Sequence, residues 1–161
     1  MSNESTQHAT LVLERVYPTS PHRVFGAYAD VEVRARWGAP SDTEAIVYSE
    51  AHFTVGGSDS YRCGPKSDLP YRGTVRYEDI VTDRRIVFTE TIQDADALLS
   101  ISLITWEIFP EQSGTRLVVT DQIVSFAGAA MVAGSEAGTN AALDNLGTWL
   151  ERQPSLQEAP Q

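Results

Sequence analysis
The sequence predicts an α+β domain in which a curved antiparallel sheet of about six to seven strands wraps around one long C-terminal helix. Three observations carry that expectation. An apolar first segment is followed by two short helical patterns; the middle of the chain alternates with a period of two, broken by hairpin-length turns; and the last apolar residues recur at three and four. An antiparallel meander with so few helices is covered on one face only, and the closing helix is the element long enough to lie across it.

In chain order, residues 1–8 read as a disordered polar tail and residues 9–152 as a single domain. Ala9 to Tyr17, rich in Leu, Val and Tyr, forms the first strand, which Pro18 ends. Ser20 before Pro21 places an N-cap ahead of a proline at the first helical position, and Val24, Phe25, Tyr28 and Ala29 recur at helical spacing. Asp30 caps a second short turn through Val33 to Trp37, which Gly38 and Pro40 terminate. The period then changes to two. Thr43 to Phe53 and Asp59 to Cys63 are strands around a Gly56-Gly57 turn, and Gly64 to Pro70 is a loop. Tyr71 to Val81 and Arg85 to Gln93 are joined by Thr82-Asp83-Arg84, short enough to make them antiparallel neighbours. Leu98 to Phe109 and Thr115 to Phe126 form a second pair across Glu111-Gln112-Ser113-Gly114. Residues 127–138, an Ala/Gly segment with little side-chain bulk, read as a loop with some helical character that borders the pocket entrance as a gate. Thr139, Ala142, Leu143, Leu146, Trp149 and Leu150 repeat at three and four and give a closing helix of about four turns. Residues 153–161, with Pro154 and Pro160, read as a second disordered tail.

Composition excludes several function classes. Twelve Lys and Arg against 22 Asp and Glu leave a net charge of −10 over 161 residues, which sets the overall field against nucleic acid and anionic membrane surfaces. Lys66 is the one lysine, so amine or Schiff-base catalysis is disfavoured. The lone Cys63 makes no intramolecular disulfide and no CxxC motif, and the first ten residues resemble no targeting peptide; a cytoplasmic protein is expected. His8, His22 and His52 show no metal-ligand spacing, so neither metal nor cofactor is expected. Gly56-Gly57 lacks the helix and lysine of a phosphate loop and is explained by a turn.

The pattern also points to a cavity. The stripe of the closing helix is padded with Ala141, Ala142 and Gly147, while the sheet supplies Tyr71, Tyr77, Phe88 and Trp106. A curved sheet around so slim a helix leaves an internal space suited to a small apolar or amphipathic molecule. Alternation puts Tyr71, Gly73, Val75 and Tyr77 on the pocket face, with Ile86, Phe88, Glu90 and Ile92 on the next strand and Leu117, Val119, Asp121 and Ile123 on the last. Glu90 and Asp121 thus stand in apolar rows, where an unpaired charge is costly. They are either pocket carboxyls that orient a ligand or move a proton, or groups turned to solvent by a strand-end bulge, or, for Asp121, a carboxylate neutralised by Arg15 on the first strand. Trp37, Trp106, Tyr61 and Tyr77 either line the cavity or fill the core; core packing suits Trp106 and Trp149, and the lip suits Trp37. Thr139 and Leu143 complete the expected ligand-binding set from the closing helix.

The sequence resembles the activator of heat-shock protein 90 ATPase homologue-like branch of the START-like superfamily, which includes polyketide cyclases and lipid-transfer domains. The resemblance covers roughly Leu11 to Leu150. It is carried by Tyr17-Pro18-Thr19-Ser20-Pro21-His22-Arg23-Val24-Phe25, by Arg36-Trp37-Gly38, and by Val55-Gly56-Gly57-Ser58-Asp59-Ser60-Tyr61-Arg62. Tyr71-Arg72-Gly73-Thr74-Val75, Asp83-Arg84-Arg85-Ile86-Val87-Phe88-Thr89 and Ser113-Gly114-Thr115-Arg116-Leu117 continue it. The resemblance implies a helix-grip fold with a ligand cavity under the last helix. Relatives often place an aromatic residue after the glycine that opens that helix; Gly138-Thr139 in this chain implies a wider pocket mouth and leaves ligand size open.

Three functions are in contention. The first is a binding protein for a small apolar or amphipathic ligand, acting as carrier, sequestering agent or sensor without catalysis. The second is a cyclase- or hydrolase-type enzyme using Glu90 or Asp121. The third, suggested by the family name alone, is a chaperone cofactor, which the lack of a further chaperone-binding region in this sequence disfavours. Self-association into a homodimer is left open.

Overall fold
Alternating residues from seven segments pair into one antiparallel sheet, and the computed structural model describes it together with three helices over residues 6–153. In chain order the elements are β1 (Gln7–Tyr17), α1 (Pro21–Ala29), α2 (Val31–Gly38), β2 (Glu44–Ala51), β3 (Ser58–Pro65), β4 (Tyr71–Val81), β5 (Arg85–Asp94), β6 (Ala97–Glu111), β7 (Gly114–Ser125) and α3 (Gly128–Arg152). Strand order is β1-β7-β6-β5-β4-β3-β2, so β2 to β7 form a meander and β1 returns to pair along β7. The sheet is curved and grips α3, which is the helix-grip architecture.

Local chemistry explains the helix boundaries. The Ser20 hydroxyl accepts from the backbone N–H of Arg23, and Pro21 opens α1 where no N–H is needed. The Asp30 carboxylate accepts from the N–H groups of Glu32 and Val33, starting α2 at the residue where α1 ends. At the far end of the chain the Arg23 guanidinium donates to the carbonyls of Leu150 and Gln153 at the C-terminus of α3. The β4–β5 hairpin turns through Asp83, whose φ of 64° is the left-handed conformation a short loop requires.

Two boundaries differ from expectation. β1 begins at Gln7, so Gln7 and His8 belong to the sheet, paired with Ser125 and Val124; residues 1–5 of the expected first tail and 154–161 of the second lie outside the described residues. The Ala/Gly segment is not a loop. It forms the N-terminal half of α3, which runs 25 residues from Gly128 to Arg152, and Gly138-Thr139 therefore sits mid-helix rather than at a helix start. Alanine favours helix strongly enough to carry the interspersed glycines, and small residues suit a helix with no core to reach.

The two halves of α3 are held differently. Leu143, Leu146 and Leu150 are buried against Tyr17, Val24, Phe25, Trp106 and Leu117 in a continuous apolar core. The Tyr17 hydroxyl donates to the Leu143 carbonyl at 2.7 Å, and Gly147 permits this approach because a Cβ there would stand 3.1 Å from the Tyr17 ring. Arg15 bonds Asp144 and Asn140, and the Asn145 amide donates to the Ala39 carbonyl. In the N-terminal half Ala129, Ala130, Ala133, Gly134 and Ala137 are exposed, and Ala127 supplies no side-chain cap. That half stands off from the sheet.

Candidate functional site
Between the stand-off half of α3 and the concave face of the sheet lies a cavity of about 640 Å³. Its floor is apolar: Phe88 from β5, Ile104 and Trp106 from β6, and Val119 from β7. The helical side is a stripe of small residues at alternating spacings of three and one, Ala130, Met131, Gly134, Ser135, Gly138, Thr139, Ala142 and Leu143. A slim wall and an aromatic floor enclose the space.

Nine of the ten residues expected from sequence line this cavity: Trp37, Tyr61, Tyr71, Phe88, Glu90, Trp106, Asp121, Thr139 and Leu143. Tyr77 does not. It is fully buried behind the wall, where its hydroxyl donates to Asp59 and contacts the Tyr28 hydroxyl. Trp37 is an interior residue rather than a lip: it is buried, lies tilted against Trp106 with ring centres 5.8 Å apart, and donates its indole N–H to the Ala27 carbonyl at 3.0 Å. Tyr71, the most exposed of the set at 37 %, occupies the rim.

Glu90 and Asp121 both point inward because the ladder is unbroken where it matters. The β5–β6 irregularity falls between Ile92 and Gln93, beyond Glu90, and the β6–β7 register runs without a bulge past Asp121. Arg15 pairs with Asp144 and leaves Asp121 alone. The Tyr61 hydroxyl donates to Glu90 Oε2 at 2.7 Å. Gly73, opposite Tyr61 on β4, makes that bond geometrically accessible, since a Cβ at residue 73 would lie 2.0 Å from Tyr61 Cζ. Burial, reinforced by the nearby Asp121, pushes the Glu90 carboxyl up to about 7 against the opposing effects of the Tyr61 bond and Arg34. Burial also raises Asp121, opposed by a hydrogen bond from Ser102, and Asp121 Oδ1 has no partner. Near neutral pH this wall can therefore hold or release a proton.

Sequence reasoning missed the polar cluster beside these acids. Arg34, buried in the middle of α2, donates from Nη2 to Asp59 at 2.8 Å, from Nη1 to the Tyr28 carbonyl and the Tyr77 hydroxyl, and from Nε to the Tyr48 hydroxyl. Its guanidinium also lies 4.4 Å from the Tyr28 ring centre and 4.9 Å from that of Tyr48. The second Asp59 oxygen accepts from the His52 N–H. A signal existed: alternation along β3 places Asp59, Tyr61 and Cys63 on one face, and Arg34 sits one turn from Trp37 on α2. Cys63 lines the cavity with its thiol pushed up to about 11 by burial, which keeps it protonated. Among the described residues no group of three or more His, Cys, Asp or Glu is placed to hold a metal ion, and no helix is long and apolar enough to cross a membrane.

Comparison with known proteins agrees with this architecture. A protein of Rhizobium loti is 36 % identical with a TM-score of 0.81, over 91 % of this chain and 100 % of its own. An uncharacterised protein of Rhizobium leguminosarum is 31 % identical with a TM-score of 0.81, over 92 % of this chain and 97 % of its own. A Chromobacterium violaceum protein at 24 % identity, with a TM-score of 0.79 over 88 % and 96 % of the two chains, shares the fold. No curated protein matches the sequence. Residues 18–151 match the family described as activator of Hsp90 ATPase homolog 1-like protein, whose START-like fold is typically a ligand-binding scaffold, and the chain belongs to that family.

Proposed function
We propose that this protein binds a small apolar or amphipathic molecule in the cavity between sheet and α3, as a carrier, sequestering protein or sensor. The observation that carries this reading is the cavity itself. Its volume of about 640 Å³ falls within the range of roughly 300–1,000 Å³ typical of ligand sites, and its aromatic floor is joined by a few inward polar groups, as such sites require. Native mass spectrometry of gently purified protein should reveal a co-purifying ligand. Nile red, a neutral dye, should bind the emptied protein and be excluded by Gly138→Phe, because a Cβ at Gly138 meets nothing within 4 Å and a ring there fills the open space. Equal dye binding by the two proteins refutes the assignment of the site.

A second reading, acid–base catalysis, is favoured by the Glu90 carboxyl held at about 7, where a group can both donate and accept a proton near neutrality. Glu90→Gln would then abolish conversion while a substrate still binds. The Cys63 thiol on the same wall is held protonated by burial, the reverse of an activated nucleophile, and binding without turnover is the preferred function.

A further inference from the structure
The cavity wall carries more acid than base. Among the described residues that line it, Arg34 is the one Lys or Arg, against Glu44, Asp59, Glu90 and Asp121. All three guanidinium nitrogens of Arg34 are engaged, and both Asp59 oxygens accept hydrogen bonds, so this pair is closed to a guest. Glu44, at the start of β2, accepts from the exposed Ser41 hydroxyl, and Glu90 and Asp121 are the inward acids that remain for a ligand. Asp121 is nine-tenths buried, faces the cavity, and keeps Oδ1 without a partner. Buried Ser100 and Ser102 line the same wall from β6, the strand between the two acids.

We propose that the guest is an amphipathic amine, its ammonium group taken by Glu90 and Asp121 and its apolar body laid against Ile104, Trp106, Val119 and Leu143. This rests on the cavity being a ligand site and narrows what the site accepts. An ammonium brings three N–H donors and a positive charge to a wall that offers carboxyl and hydroxyl acceptors. A carboxylate or phosphate would meet no uncommitted cation and would add like charge. A neutral alcohol supplies one donor and gains no charge–charge attraction from either acid.

The titratable groups around Glu90 are Tyr61, Asp59 and Cys63 on β3, Glu44 and Tyr48 on β2, Tyr71 on β4, Asp121 on β7, Tyr28 on α1 and Arg34 on α2; the parts of β6 and α3 that line the cavity contribute none. With Glu90 at about 7 in the empty protein, an arriving ammonium favours the ionised form and expels a proton. Affinity should therefore rise between pH 6 and pH 8, by about five- to tenfold if the bound cation returns Glu90 to an ordinary carboxyl range. An alkylamine stays charged across that interval, so the change reports the protein.

The test is calorimetric titration of the full chain with n-decylamine, n-decanol and n-decanoate, below their micellar concentrations, at both pH values. Decylamine should bind about tenfold tighter than either analogue at pH 8, with the margin shrinking at pH 6. Asp121→Asn and Glu90→Gln should each weaken decylamine by about tenfold while leaving decanol within about twofold, and Glu90→Gln should flatten the pH response. If decanol or decanoate matches or exceeds decylamine on the unsubstituted protein, the amine assignment is overturned and the cavity still stands as a ligand site. If none of the three binds and Nile red also fails, the ligand-site reading falls together with it.

Discussion
Replacing Glu90 by glutamine should remove a pH dependence of stability that the protein otherwise carries. A free glutamate titrates near 4.5, whereas Glu90 in the fold titrates at about 7 because burial disfavours its charge. Between those values the folded state keeps the proton and the unfolded state has released it. Stability therefore falls as pH rises through this window, and the full loss is present above about 7. The interval corresponds to about 3 kcal/mol at roughly 1.4 kcal/mol per pH unit, and water entering the cavity screens part of it, leaving about 2–3 kcal/mol. Glutamine stays neutral and still accepts the Tyr61 hydrogen bond, so Glu90→Gln should match the wild type near pH 4.5 and exceed it by that amount at pH 8. Urea unfolding of both proteins from pH 4.5 to 8 measures it. The difference between the two curves isolates Glu90 from Asp121, whose own raised pKa tilts both curves in the same direction. A difference that stays flat across the window refutes the assignment of a partly buried Glu90 that keeps its proton up to about pH 7.

Three further outcomes are expected. Gly73→Ala should destabilise by about 1–3 kcal/mol by forcing the Tyr61 ring off β4, and the cost should largely vanish in a Tyr61→Ala background; an additive double mutant in thermal melts contradicts the ring-on-glycine contact. Arg34→Met should cost about 3–5 kcal/mol in denaturant unfolding, because Asp59 is left buried and without its cation; a loss below about 1 kcal/mol would show the pair to be dispensable. Amide hydrogen exchange should be faster over residues 128–138 than over 143–150, since the first stretch buries little apolar surface; equal protection refutes the unequal anchoring of α3.

The seven strands and both short helices were legible because each follows a local rule: period-two alternation, Ser20 before Pro21, Asp30 ahead of Glu32 and Val33. Alternation also assigned Glu90 and Asp121 to the inner face, and the bulges that shift register happen to fall elsewhere. The front half of α3 escaped because an amphipathic search looks for large apolar residues, and this helix faces a void. Its stripe is built from Ala130, Gly134, Ser135 and Gly138, where the period is present but the bulk is missing. Tyr77 was placed on the correct face but too near the ligand, since its depth depends on Arg34 and Asp59, which arrive from distant segments. Long-range polar clusters leave no periodic trace in a sequence.

The unequal anchoring of α3 makes the helix a beam clamped at one end. Tyr17, Arg23, Arg15 and Asn145 fix its C-terminal half to the rest of the molecule, while among the described residues the start of the helix is tied to the strands by the bonds that Ser125 makes to Ala127 and Gly128. A small angular swing about the clamp would change the volume beneath the free end. On the proposed ligand-site reading, selectivity for guest size would follow the compliance of the beam as well as the outline of the strands. On the same proposal chemical selectivity would rest with the acids on the sheet, so that shape and charge would be discriminated by two mechanically separate parts of one small protein.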